Sequence, residues 1–259
     1  MAEAINTGPR EWDAETYDAI SVAQFAWGVE VIERLELHEG ESVLDAGCGS
    51  GKVSAELIAR VPGGGSLIAV DGSEAMIEKA RERLGEDVTY LVADLSELEV
   101  PEPVDLVFST ATFHWIPDHD KLFGHIAATL RPGGRLVAQC GGEGNVARHA
   151  EAIAAVASRP EFAPHFAGME MMWNFAAPDA TEERLRNAGF ADARCWLEPK
   201  PFTPPDPLRF TMTVTLGPHL ARLPEEKQQR FAEEVLALSE QPLTLDYVRL
   251  NIEARVPSR

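Results

Sequence analysis

A loop with three closely spaced glycines constrains the fold of this chain more than any other feature. Residues 45–51 have the sequence Asp-Ala-Gly-Cys-Gly-Ser-Gly; they follow a short apolar run, 42–44, and precede a helical pattern of apolar residues over 53–61. Because glycine lacks a Cβ atom, a strand, glycine turn and helix let bare backbone approach a nucleotide-like ligand. A dinucleotide-binding fingerprint would have its third glycine at Lys52. The actual spacing is G-x-G-x-G after an acidic residue.

Polar residues follow the next predicted strands at the points where those strands end. The apolar runs 66–70, 88–92 and 104–108 predict strands, and an Arg-Pro-Gly-Gly turn at 131–134 leads into a fifth strand, 135–140. The residues just after the second, third and fourth strands are Asp71, Asp94, Ser109 and Thr110. The carboxyl ends of parallel strands share one edge, where open α/β sheets bind ligands. We therefore expect one ligand crevice at this edge.

Strict alternation near the end of the chain predicts one more strand. A helical pattern over 181–190 and a strand over 193–197 come first. From 248 to 256, apolar residues then alternate with Arg249, Asn251, Glu253 and Arg255. A period of two with one polar face is typical of antiparallel strands.

The ordered set over residues 41–141 resembles the motif pattern of class I methyltransferases that use S-adenosylmethionine (SAM). The stretch from Trp12 to Asp18, with Gln24 and Trp27, and residues 113–119 (Phe-His-Trp-Ile-Pro-Asp-His) resemble the trans-aconitate 2-methyltransferase-like group. The resemblance implies an α/β, Rossmann-like fold. Its seven-stranded sheet would be mostly parallel, with the last strand antiparallel, helices on both faces and a helical cap.

The same resemblance implies which residues contact the cofactor. Asp71 would accept from the ribose hydroxyls, Asp94 from the adenine amino group, and Met76 would lie on the adenine face. Asp45 would lie near the cofactor amine and Gln24 near its carboxylate. The expected set is Gln24, Asp45, Gly47, Cys48, Gly49, Gly51, Asp71, Gly72, Ser73, Met76, Ala93, Asp94, Leu95, Ser109 and Thr110.

Candidate residues for the methyl acceptor lie after the fourth strand and in the expected cap. His114 is a candidate catalytic base or acceptor-positioning residue; the alternative is a histidine packed under the cofactor. Tyr17 is a second candidate for catalysis, or a buried helix residue. Trp115, Arg148 and Trp173 are candidate substrate contacts, against roles as packing residues or, for Arg148, a solvent-facing side chain. The cluster of Met, Trp and Phe over 169–175 predicts either cap core or an apolar substrate pocket.

Composition narrows the class of partner. The 259-residue chain has 23 Lys and Arg against 42 Asp and Glu, a net charge of −19. With its basic residues scattered, we expect neither nucleic acid nor a membrane surface as a partner. The expected partner is a small molecule, and the protein itself would be a monomer or homodimer.

The cysteine content and the first residues of the chain indicate the cellular location to expect. Three cysteines, Cys48, Cys140 and Cys195, cannot form a disulfide framework or a zinc set, and the histidines show no metal-ligand spacing, so no metal is expected. No basic start, signal-like run or apolar segment of about 18 residues is present. The expected location is the cytoplasm.

The domain organisation predicted is one methyltransferase domain over 1–259. Its core would comprise about 36–142, 179–198 and 244–257. The cap would comprise 1–35, 143–178 and 199–243.

The leading functional hypothesis is SAM-dependent methylation of a small molecule, with O-methylation of a carboxylate favoured. Alternatives are N- or C-methylation of a small molecule and a non-catalytic SAM-binding protein. An NAD-dependent oxidoreductase is disfavoured because Lys52 replaces the third glycine of its fingerprint.

Overall fold

A seven-stranded sheet forms the centre of the molecule, in a computed structural model that describes residues 22–169 and 173–258. The strands are β1 (Ser42–Ala46), β2 (Ser66–Asp71), β3 (Thr89–Val92), β4 (Val104–Thr110), β5 (Leu130–Gly141), β6 (Asp192–Pro199) and β7 (Val248–Arg255). Their spatial order is β3-β2-β1-β4-β5-β7-β6. β1 to β5 pair in parallel, whereas β7 is antiparallel to both β5 and β6. The predicted seven-stranded, Rossmann-like sheet with a reversed last strand is confirmed.

Helices cover both faces of the sheet, as predicted. They are α1 (Val22–Glu33), α2 (Lys52–Ile58), α3 (Glu74–Leu84), α4 (His119–Thr129), α5 (Ala147–Ala157), α6 (Pro178–Asn187), α7 (Pro207–Phe210), α8 (Gly217–Leu220) and α9 (Glu225–Leu238). Neighbouring residues of the central strand face opposite layers: Val43 packs with Val31 of α1 and Leu57 of α2, whereas Leu44 packs in a cluster with Phe123 and Leu185. Burial on both faces explains why β1 is continuously apolar apart from Ser42 and Asp45.

The topology places a switch point between β1 and β4. β2 and β3 lie on one side of β1, and β4 and β5 lie on the other. Loops from the two halves diverge there, which opens a crevice at the carboxyl ends of the strands. The glycine loop, 45–51, leaves β1 at this point.

The segments expected to form the cap contain helices with a hydrophobic cluster of their own. Val156 of α5, Phe162, and Phe231 and Val235 of α9 are fully buried in it. A second cluster joins α1 to this region through Trp27, Val146, Phe210, Leu245 and Tyr247. That one domain includes both core and cap stays a prediction.

Two local features differ from the sequence patterns. β5 begins at Leu130, so the predicted turn at 131–134 lies within the strand, where the pairing with β4 shifts between Leu130 and Arg135. The polar face of β7 is not solvent-exposed at its start: Arg249 and Asn251 are each 3% exposed.

None of the helices in the two described ranges has both the length and the apolar character needed to cross a bilayer.

Candidate cofactor and acceptor site

The three glycines of the loop all adopt left-handed conformations, with φ of +86° at Gly47, +55° at Gly49 and +77° at Gly51. A Cβ atom at Gly47 would lie 2.1 Å from Thr112 Oγ1, and one at Gly51 would lie 3.2 Å from Ala80 Cα. A Cβ at Gly49 would meet nothing within 4 Å. Packing therefore requires Gly47 and Gly51, whereas Gly49 borders open space into which a ligand can fit.

Asp71 ties this loop to the end of β2. Its Oδ2 accepts from the Gly49 N–H at 2.9 Å, and its Oδ1 accepts from the Ser73 N–H at 2.9 Å. The Ser73 hydroxyl in turn caps α3 by accepting from the N–H of Met76, whose side chain is buried. Each carboxylate oxygen can accept more than one hydrogen bond, so Asp71 can hold the loop and still receive ligand hydroxyls.

Asp45 is a buried carboxyl group close to a second one. It is 2% exposed, and its Oδ2 accepts from the Ser54 hydroxyl at 2.7 Å. Burial, with a smaller effect from the negative charge of Asp71, raises the pKa of Asp45 to about 7, although the Ser54 bond lowers it. Asp45 is therefore poised to change charge near neutral pH.

Four other predicted cofactor residues also make hydrogen bonds or packing contacts within the protein. Asp94 Oδ1 accepts from both the N–H and the hydroxyl of Ser96, and the Ser109 hydroxyl donates to the Ala46 carbonyl at 2.6 Å. Leu95 packs in the core. The Cys48 side chain packs in a small cluster with Ala69, Ile77 and Ala80. A cofactor contact at Cys48 would therefore use its backbone.

Helix α1 crosses the glycine-loop helix and the end of β4. A Cβ at Gly28 would lie 2.9 Å from Val53 Cγ2 and 3.4 Å from Thr110 Oγ1, so glycine permits this close approach. One turn earlier, the Gln24 Oε1 is buried without a hydrogen-bond partner in the part of the chain that the structure describes. A buried acceptor of this kind fits a ligand that brings an N–H or O–H donor. SAM, with its ammonium group, is such a ligand.

Beside this edge lies an aromatic cluster made of His114, Trp115, Trp173 and Phe175. Ring centroids are 5.2 Å apart for His114 and Trp115 and 5.8 Å for His114 and Phe175. Trp173 meets Trp115 edge-on at 6.0 Å and stacks on Phe175 at 5.6 Å. Three of the residues predicted to contact the acceptor are thus neighbours.

The hydrogen bonding of His114 defines its tautomer. The Gly141 N–H donates to His114 Nδ1 at 3.3 Å, so the proton of the neutral ring resides on Nε2. Burial lowers the pKa of His114 well below its usual range, and the positive charges of Arg249 and His119 lower it further. His114 is therefore a neutral hydrogen-bond donor through Nε2.

Arg249 is a buried residue beside the candidate site that the alternating sequence pattern did not single out. It lies opposite Gly141 in the pairing of β7 with β5, and its Cζ is 5.1 Å from the centroid of the Trp27 ring. In the sequence it belonged to the polar face of an alternating strand, a pattern that does not distinguish a solvent-facing residue from one covered by a helix. Gly28 was missed for the same reason, because only tertiary contacts define its role.

Some predicted residues lie elsewhere. The Arg148 side chain is 55% exposed on the cap, where it pairs with Glu240 at 2.9 Å and Asp246 at 3.5 Å. Tyr17 and the stretch from Trp12 to Asp18 lie outside the described residues. Within 22–169 and 173–258, no group of three or more His, Cys, Asp or Glu side chains is placed to hold a metal ion.

Comparisons with known proteins agree with this geometry. A family model described as a methyltransferase domain matches residues 43–134. A trans-aconitate 2-methyltransferase from Shigella flexneri is 35% identical over 129 residues, and the chain spans about half the length of this relative. One from Methylobacterium nodulans is 30% identical over 187 residues, which cover 72% of this chain and 67% of that protein.

Solved structures share the fold at lower identity. Phosphoethanolamine N-methyltransferase 2 from Haemonchus contortus, solved with SAM, gives a TM-score of 0.59 at 21% identity, covering 95% of this chain and 57% of that one. The [4+2]-cyclase SpnF gives 0.58 at 19% identity, covering 91% and 82%. A cyclase among these neighbours means that the sheet alone does not identify the reaction. The relatives and the family model do identify the family: the chain belongs to the class I SAM-dependent methyltransferases and is similar to trans-aconitate 2-methyltransferases.

Proposed function

We propose that this protein binds SAM at the carboxyl edge of its sheet and transfers the methyl group to a carboxylate of a small molecule. One observation carries the proposal: the glycine loop held by Asp71 and the aromatic cluster around His114 lie at the same edge, one on each side of the end of β4. The first suits the nucleoside part of SAM, and the second suits an acceptor beside the reactive methyl group.

The residues at the loop fit the parts of SAM in order along the edge. Asp71 would accept from the ribose hydroxyls and Asp94 from the adenine, while Asp45 and Gln24 would hold the amino-acid end. When bound, SAM supplies a methyl group already activated by a sulfonium. The chain's own residues therefore need to align the acceptor and exclude water rather than activate the methyl group.

The protonation state of His114 supports a carboxylate as acceptor. With Nδ1 accepting from Gly141 and a proton on Nε2, His114 has no ring nitrogen available to take a proton from a phenol or an amine. A carboxylate is already ionised at neutral pH and needs no base. Donation from Nε2–H to one carboxylate oxygen would orient the other oxygen toward the methyl group.

The curated relatives suggest which acid to test first. The two described above are named trans-aconitate 2-methyltransferases, so trans-aconitate is the first acceptor that we propose for this chain. We also propose a reducing, cytoplasmic setting, because Cys48, Cys140 and Cys195 are all buried free thiols.

Calorimetry with SAM and with its demethylated product, S-adenosylhomocysteine (SAH), tests the cofactor site. Asp71→Ala should weaken both affinities by about 10-fold or more, because charge-assisted hydrogen bonds to the ribose and to the Gly49 N–H are lost together. Asp87→Ala is the matched control, since Asp87 is exposed before β3. Equal binding by wild type and Asp71→Ala would refute the assignment. Binding of NADH but not SAM would favour the oxidoreductase alternative.

Product analysis tests the reaction. Incubation of the full chain with SAM and trans-aconitate should give SAH and an alkali-labile methyl ester, measured by mass spectrometry. If the methylated product instead forms on a nitrogen or carbon atom and is stable to alkali, carboxylate O-methylation is refuted and the protein is an N- or C-methyltransferase. Tight SAM binding with no product from any acid, amine or carbon acceptor would indicate a SAM-binding protein without methyl transfer.

A further inference from the structure

The first half of the glycine loop is held by the end of β2. Two successive N–H groups, those of Gly47 and Cys48, donate to the Val70 carbonyl at 2.8 and 2.9 Å. The next N–H, that of Gly49, donates to Asp71 at 2.9 Å. Glycine has more conformational freedom than any other residue, so a loop with three glycines keeps one shape only where such contacts fix it. The same need applies to residues 50 and 51.

Helix α3 holds the second half of the loop. Gly51 packs on the helix so closely that a Cβ atom there would lie 3.2 Å from Ala80 Cα and 3.1 Å from Leu84 Cδ1. From the same turn of α3, Arg83 Nη1 donates to the Ser50 hydroxyl at 2.9 Å and also to the Ser50 carbonyl. The last turn of α3 therefore contacts the loop by both packing and hydrogen bonding.

The Arg83 contact joins a surface side chain to a buried residue of the loop. Arg83 is exposed, whereas Ser50 is 6% exposed. A polar group largely removed from water is costly to leave without its partner, and a charged donor makes the stronger bond. Ser50 directly follows Gly49, which borders open space and donates its N–H to Asp71. A shift of residue 50 would therefore also displace the Gly49 N–H from Asp71.

Two arginines lie in the last turn of α3, and their contacts differ. Arg81 and Arg83 both suit the negative end of the helix dipole. The Arg81 guanidinium lies 4.4 Å from the centroid of the Tyr90 ring, whereas the Arg83 guanidinium donates to the loop. A comparison of the two positions therefore separates a contribution to the helix from a contribution to the loop.

We propose that Arg83 is a positioning residue of the cofactor site: by holding Ser50, it keeps the glycine loop in the shape that receives the nucleoside part of SAM. This inference rests on the proposed function, since it takes the loop as the SAM site. Arg83 acts through the loop and does not need to touch the cofactor. Its loss should weaken the binding of SAM and SAH alike, because the two share the same nucleoside, and should leave the methyl-transfer step intact.

Calorimetry with SAH compares Arg83→Met with the matched control Arg81→Met. Arg83→Met should raise the Kd of SAH by about 5- to 10-fold, less than the full loss of a charged hydrogen bond because its effect on the ligand is indirect. Arg81→Met should stay within about 2-fold of wild type. In steady-state assays, Arg83→Met should raise the KM for SAM by a similar factor without lowering kcat. Equal SAH affinity in Arg83→Met and wild type, or a fall in kcat alone, would overturn the assignment.

A double-mutant cycle distinguishes positioning from a general loss of stability. Ser50→Ala removes the hydroxyl that accepts from Arg83 and should weaken SAH binding by about 2- to 3-fold in the wild-type background. In the Arg83→Met background the same change should have no further effect, because the donor is already absent. Additive losses, which independent effects on folding would produce, would contradict the positioning role.

Amide hydrogen exchange separates this inference from the proposed function, because it needs neither ligand nor turnover. In the ligand-free full chain, Arg83→Met should speed exchange in peptides that cover residues 47–51 by about 5-fold or more, and Arg81→Met should not. Faster exchange together with no SAH binding by wild type would refute the proposed function while supporting the role of Arg83 in fixing the loop. Unchanged exchange in Arg83→Met would overturn the inference, whatever the loop binds.

Discussion

At the scale of single residues, the environment of each carboxyl group decides what it can do. Asp71 ends β2, Asp94 follows β3, and both were predicted to contact the cofactor. Asp71 also accepts from the Gly49 N–H of the glycine loop and from the Ser73 N–H, whereas Asp94 accepts from the Ser96 N–H. Asp45 differs because it is buried and close to Asp71, which raises its pKa to about 7. No sequence pattern reports such a shift, because it depends on the burial of the folded chain.

If Asp45 contacts SAM as proposed, its raised pKa should make SAM binding depend on pH. Bound next to the SAM ammonium, Asp45 would ionise, so binding below pH 7 should release a proton. We expect the SAM affinity to rise by up to about 10-fold per pH unit below 7 and to level off above it. Calorimetry in buffers of different ionisation enthalpy measures the proton release directly.

Asp45→Asn provides the control for this linkage. It keeps the size of the side chain but cannot titrate, so it cannot couple proton release to binding. Its SAM affinity should therefore be nearly independent of pH from about 5.5 to about 7.5. A pH dependence that persists in Asp45→Asn would assign the proton to another group.

At the scale of elements, α1 packs against both the glycine-loop helix and the start of β7, and so connects the two halves of the candidate site. Its Trp27 ring lies under the Arg249 guanidinium, and its Gly28 packs against Val53. One turn earlier, the side-chain oxygen of Gln24 is buried without a hydrogen-bond partner among the described residues. The helical spacing of Phe25, Val29, Ile32 and Leu35 predicts a helix in the segment 11–35, and the structure describes one over Val22–Glu33. Periodicity identified the helix, but only the packing explains why one position must be glycine.

Two helical glycines should respond oppositely to alanine. Gly124 of α4 is exposed, and a Cβ there would meet nothing within 4 Å, so Gly124→Ala should raise the free energy of unfolding by about 0.5–1 kcal/mol. In Gly28→Ala the same gain is opposed by the 2.9 Å approach to Val53 Cγ2. The displaced α1 should also weaken SAM binding. Urea unfolding and calorimetry measure the two effects, and equal stabilisation with unchanged SAM affinity in both variants would contradict this account.

At the scale of the whole molecule, the cap contains buried histidines that link its stability to pH. His149 bonds the Thr215 hydroxyl at 2.9 Å, and His219 packs against Phe231. Burial lowers the pKa of both from 6.5 to about 4, and the nearby Asp246 raises that of His149 only partly. The folded protein therefore keeps both rings neutral at a pH where the unfolded chain protonates them.

The sign of the effect follows from this difference. Stability from the neutral histidines is fully present above pH 6.5 and is lost as the pH falls toward 4. Each histidine should lower the free energy of unfolding by about 2 kcal/mol between pH 7 and 5. The raised pKa of Asp45 acts in the opposite direction over the same range and offsets about the contribution of one histidine. His149→Gln should therefore flatten the pH dependence of the free energy of unfolding by about 2 kcal/mol. Parallel curves for wild type and His149→Gln, measured by urea unfolding, would contradict the prediction.

The sequence by itself determined the sheet and the glycine loop at its edge. Local patterns suffice there: apolar runs specify strands, glycine spacing specifies a left-handed turn, and Asp71 and Asp94 follow directly from the strand ends. The tertiary structure alone decided the acceptor side. Arg249 is buried because α1 covers the start of β7, and His114 is a donor because the end of β5 supplies the Gly141 N–H. Both depend on contacts between residues far apart in the chain, and such contacts leave no trace in the spacing of neighbouring residues.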